Sequence, residues 1–76
     1  MKFNYLEAIV FDPKWWNRFM EDSTDYMNHP LKPKDVVYYL GDIPNVPGHG
    51  IVIKRSGGIV TMVHPEDFRK AREEEL

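Results

Sequence analysis

Apolar residues along the chain follow two different rhythms. VVYYL (Val36–Leu40), the run from Ile51 to Lys54 and IVTMV (Ile59–Val63) are short blocks of β-branched and aromatic residues. Each is flanked by glycine, proline, aspartate or histidine, which is the signature of strands. Between the last two, Arg55-Ser56-Gly57-Gly58 supplies residues that tolerate positive φ, so these runs form a hairpin. With Arg55 opposite Gly58, counting outward places His49 opposite His64. The other rhythm begins at Asp12-Pro13. Asp caps free helix N–H groups, and proline fits the first helical turn. Trp15, Trp16, Phe19 and Met20 then share one helical face, which Tyr26 and Met27 extend. His29, preceding Pro30, is pushed out of the helical region. The pattern predicts a helix over residues 13–27.

The flanks read less plainly. In FNYLEAIVF, Phe3, Tyr5, Ile9 and Phe11 alternate as in a strand, with Glu7 interrupting. Asn4 and Glu7 have the spacing of a helix-capping pair, but the IVF ending favours a strand. HPLKPKD is a linker stiffened by two prolines, and GDIPNVPGHG is an irregular loop. Pro65, Glu66 and Asp67 suit the start of a short C-terminal helix, with Phe68, Ala71 and Leu76 facing inward. Glu73, Glu74 and Glu75 then sit at the wrong end of the helix dipole, so residues 69–76 are expected to fray. The fold class expected is α+β: a small, strongly bent antiparallel sheet with an N-terminal helix and a short C-terminal helix.

Size bounds what this architecture can do. The chain has 76 residues, enough for one domain with a thin core, and no cysteine to staple it. It carries 10 Lys/Arg against 12 Asp/Glu, for a net charge of −2. The middle of the chain, residues 29–65, is mildly basic and both ends are acidic. No general attraction to nucleic acid or to a membrane surface follows from that balance. MKFNYLEAIVF has no apolar core of signal-peptide length, and no apolar run approaches ~18 residues. A soluble, cytoplasmic protein with no membrane contact is the expectation.

From Lys34 to Phe68 the chain resembles the KOW and Tudor group of small SH3-like barrels. The resemblance rests on KDVVYYLGD, GHGIVI, GGIVTMV and HPEDF, with Asp35, Val36, Gly41, Gly48, Gly50 and Val52 at the pattern's positions. It implies a barrel core over residues 34–68 within a single domain, 1–76, preceded by a strand and helix segment over 1–28. It also implies a non-catalytic binding module. The basic clusters of RNA-binding members are absent. In this setting Gly48 and Gly50 let a strand enter a sharply curved sheet, and Gly57 and Gly58 serve the hairpin turn. A phosphate cradle would place its glycines before a helix, whereas a strand follows Gly50.

Candidate chemistry is sparse. Ser23 and Ser56 have no recognisable His/Asp context, so no nucleophile is indicated. The carboxylates fall at predicted helix ends and in the tail. His49 and His64, cross-strand neighbours, would need Asp42 or Glu66 as a third ligand to hold a metal, and no metal or other cofactor is expected. Partner binding is the better use of the exposed aromatics. Trp15 and Trp16 point about 100° apart on a helix, and Trp15, at the edge of the stripe, is the exposed one. Of Tyr38 and Tyr39, one faces inward and one outward. The candidate partner-binding residues are Trp15, Tyr39, Lys54 and Arg55. The expected function is a protein–protein interaction or regulatory module. The alternative is a nucleic-acid binder using Tyr38 or Tyr39 with Lys32, Lys34, Lys54 and Arg55.

Overall fold

β-Branched runs bounded by turn residues become strands where each can bury one face. The computed structural model of the chain describes residues 2–16 and 29–76. Five strands form: β1 (Ala8–Phe11), β2 (Val36–Asp42), β3 (Gly50–Lys54), β4 (Ile59–Val63) and β5 (Phe68–Lys70). They make one antiparallel sheet in the order β4-β3-β2-β1-β5. Ile9, Phe11, Val37, Tyr39, Val52 and Phe68 point to one side and are buried there, with Phe3 and Leu31 closing over them. Tyr38, Ile51, Ile53, Val60 and Met62 occupy the other side, following the two-residue period of the strand.

The β3–β4 hairpin has the register read from the sequence, running from Lys54 opposite Ile59 to Gly50 opposite Val63. Its turn is closed by Gly58 N–H donating to the Arg55 carbonyl, with φ of +93° at Gly57 and +65° at Gly58. Few side chains tolerate those angles.

Gly50 has another reason to be glycine. Its φ is not positive, but a Cβ there would lie 2.8 Å from both Cε1 and Cζ of Tyr39. The missing side chain is the space that the Tyr39 ring fills. The sheet's irregularity is on the neighbouring strand, where the β2–β3 register slips between Tyr39 and Gly41. Gly48, with φ +77°, follows Pro47 in a turn closed by His49 N–H and the Val46 carbonyl. Gly48 thus serves a turn in the loop before β3, the bulge is in β2, and Gly50 answers to packing.

Among the described residues the fold is all-β, which corrects the α+β expectation. Among the described residues there is no α-helix, only 3-10 turns at Pro65–Asp67 and Glu73–Glu75. The helix expected over 13–27 lies mostly outside the described residues. Its first residues form a turn instead, with Trp16 N–H 3.4 Å from the Pro13 carbonyl. Asp12 does not act there as a cap. Its N–H donates to the Asp67 carbonyl and its carboxylate accepts from Arg69 Nε at 2.9 Å. Long-range pairing has claimed the residue that local chemistry assigns to a helix.

The C-terminal helix is replaced in the same way. Beyond the 3-10 turn, Phe68–Lys70 pairs with β1 and Phe68 packs on Phe11, ring centroids 5.1 Å apart. Nor is the tail left loose. Glu75 accepts both Arg69 guanidinium nitrogens, at 2.7 and 2.8 Å, and the Arg72 N–H. That bidentate pair holds the Glu75 carboxyl down at about 2 and raises Arg69 further above its ordinary value.

Candidate functional site

Phe11 ends β1 at one corner of the sheet, and four rings gather around it. His29 stacks on it at 5.4 Å and 18°, Trp16 meets it edge-on at 5.9 Å and Trp15 at 6.3 Å, and Phe68 covers its remaining side. Trp16 is half-buried against the core, whereas Trp15 is 48% exposed. The Trp15 indole is nonetheless fixed, because its Nε1–H donates to Asp67 Oδ1 at 3.1 Å. His29 is held by the Leu31 backbone, with Nδ1 2.7 Å from the Leu31 carbonyl oxygen. Pro30 and the β4 residues Met62 and Val63 complete a groove of about 290 Å³ beside Trp15. Its lining is largely apolar, with Asp67 and His64 on its edge.

A second hollow, of about 480 Å³, lies between Lys2, the loop from Asp42 to His49, and Pro65-Glu66. It contains no aromatic residue other than His49. The two hollows share a wall. His64 lines the first, His49 lines the second, and their rings are 4.1 Å apart. His49 Nδ1 is 3.0 Å from the Pro47 carbonyl oxygen. Asp42, weighed as a third metal ligand, accepts a hydrogen bond from the Tyr39 hydroxyl. Among the described residues no three histidines, aspartates or glutamates converge on a metal position.

The remaining candidates divide differently from the expectation. Tyr39 is fully buried, so it is a core residue and not a contact for a partner. Burial first, and then the Asp42 carboxylate, push its phenol up to about 12. Tyr38 is the outward tyrosine, and the Arg55 guanidinium lies over its ring at 4.2 Å. Lys54 is also engaged: its ammonium contacts Asp35 at 3.0 Å, and the same carboxylate oxygen accepts the Lys32 N–H. The structure thus separates Trp15, in the groove, from Tyr38 and Arg55, on the outer face of the sheet. Phe11, His29, Asp67 and Met62 were missed as site residues. The available clue was Phe11 itself, a large residue ending a strand shortly before Trp15.

Comparison with known protein families, with curated proteins and with solved structures finds no match to this chain. Among the described residues no helix is long and apolar enough to cross a membrane.

Proposed function

We propose that the chain is a small non-catalytic interaction module, of the KOW/Tudor SH3-like kind, that grips a polypeptide in the groove beside Trp15. One observation carries this reading: a half-exposed indole is hydrogen-bonded to Asp67 at the mouth of an apolar groove. A large aromatic with little freedom left to lose is the kind of side chain that anchors protein interfaces. The strand order supports the SH3-like kinship, since β5 returns beside β1 directly after a 3-10 turn. Asp67 at the rim favours a partner segment that is apolar with a neighbouring positive charge. The nucleic-acid alternative gains nothing from the outer face, because Arg55 already occupies the side of Tyr38 on which a base would stack.

The test is selection of short peptides from a random displayed library on the whole protein, followed by amide chemical-shift mapping. Enriched peptides should shift Trp15, Met62 and His64, and Trp15→Ala should weaken them at least about tenfold, a hot-spot effect. That variant should unfold within about 1 kcal/mol of wild type, because the side chain is half in water. Selected peptides that bind Trp15→Ala as well as wild type would defeat the proposal.

A further inference from the structure

The sheet has two outer strands, and one of them ends in unused backbone. Ile43 N–H donates to the His49 carbonyl, and Tyr39 exchanges hydrogen bonds with Glu7 and Leu6 on the β1 side. Backbone groups alternate sides along a strand. Ile51 and Ile53 therefore point to β2, and Gly50, Val52 and Lys54 point to β4. On β4 their partners are Val63, Thr61 and Ile59. This leaves the N–H and C=O groups of Val60 and Met62 pointing away from the sheet. Among the described residues no strand pairs with that side, and no backbone bond from a loop reaches it. Both side chains are also exposed, Val60 at 58% and Met62 at 56%, beside Ile51 on the same face.

We infer that this β4 edge is a docking edge for a second copy of the same chain, paired antiparallel about a two-fold axis through Thr61. The residue chemistry of β4 selects that occupant. A two-fold axis at Thr61 sets Val60 opposite Met62 of the second copy and Ile59 opposite Val63. Thr61 then meets Thr61, a pair that stabilises sheets. IVTMV has no charge, so no like charges oppose each other. Val60 and Met62 become hydrogen-bonded pairs in both directions, which satisfies the outward groups of both copies. The apolar face of Tyr38, Ile53 and Val60 continues into Met62 and Ile51 of the second copy. The ladder is limited to these residues by Gly57-Gly58 at one end and Pro65 at the other. One short strand from each copy makes a small interface, so a reversible dimer with a dissociation constant of roughly 10–100 μM is expected. The Trp15 groove shares Thr61, Met62 and Val63 with this edge, but Trp15 itself lies outside the ladder, so Trp15→Ala separates failure of one reading from failure of the other.

The experiment is sedimentation equilibrium over a concentration series, on wild type and three variants whose folding is checked by circular dichroism. Wild type should rise from 9.0 kDa towards twice that mass as concentration increases. The double variant Val60→Lys/Met62→Lys sets lysines opposite each other and should weaken association at least about tenfold. Met62→Pro removes an outward N–H without removing a β3–β4 bond and should do the same. Should Met62→Pro fail to fold, the double lysine variant decides, since both lysines stay in water in the monomer. Trp15→Ala should dimerise as wild type does. A wild type that stays monomeric throughout overturns the inference, as does a dimer that the lysines leave intact.

Discussion

The two outer strands of this sheet are built to opposite rules. β5 is three residues long, and two of its outward backbone groups are used locally: Phe68 N–H donates to the Pro65 carbonyl, and the Lys70 carbonyl accepts from Arg69 Nη1 at 3.3 Å. Its side chains are tied as well, Arg69 to Asp12 and Glu75, and Lys70 to Glu7 at 3.7 Å. β4 is five residues long, carries no charge and has neither a bulge nor a proline. Short length, charge and local closure are the devices by which proteins keep sheet edges from pairing. One edge of this molecule carries such devices, and among the described residues the other carries none. An edge left bare in so small a domain is a place for a strand to add.

The largest expected effect comes from breaking the protected side. Phe68 is buried against Phe11, and Phe68→Ala should cost about 3–5 kcal/mol, as large aromatic truncations do. It should also loosen β5 from β1 and expose the apolar run Ile9–Phe11 as a second bare edge. Thermal unfolding and light scattering read both consequences; a fully folded, non-aggregating Phe68→Ala protein would contradict the role given to β5.

A somewhat smaller effect is expected on the other side of the sheet. Gly50→Val drives a side chain into the Tyr39 ring, an overpacking that should cost about 1–3 kcal/mol or more. Gly50→Ala meets the same ring and should be destabilised in the same direction. If denaturant midpoints of both variants equal that of wild type, Gly50 is not the space that Tyr39 needs.

The smallest effect concerns the clasp on β5. Glu75 has a carboxyl at about 2 in the folded protein against an ordinary 4.5. A depressed folded value means the stabilisation is complete above 4.5 and is lost as pH falls through about 2. Wild type should therefore melt higher than Glu75→Gln at neutral pH, and the two should converge as pH approaches 2. A gap that is constant with pH would show that the carboxylate charge is not what holds the tail.

The same contrast explains what could be read before the fold was seen. The hairpin register was legible because Gly57-Gly58 fixes the turn and the flanking strands are uniform in type. It placed His49 beside His64 from counting alone. That one tyrosine of Tyr38-Tyr39 faces inward was also legible, but which one was not. The choice depends on the cavity left by Gly50, a contact between strands. The N-terminal residues misled because Asp12-Pro13 is a good helix start on local grounds, while Arg69 and Asp67, more than fifty positions away, hold Asp12 at the end of a strand. β5 misled for the same reason. Phe68-Arg69-Lys70 has no strand propensity of note, and pairing with β1 makes it one. The groove was invisible because it joins Trp15, His29, Met62 and Asp67 from separate parts of the chain, with no spacing to betray it.

Amide hydrogen exchange at two protein concentrations tests the contrast between the edges most directly. In dilute solution the Val60 and Met62 amides should exchange freely, while the Arg69 amide, paired with Val10, is protected. At high concentration Val60 and Met62 should gain protection by at least about tenfold as the second copy binds, and Arg69 should not change. Val60 and Met62 amides that are already protected in dilute solution, or that stay unprotected at every concentration, would contradict the account of β4 as an open edge that a second copy closes.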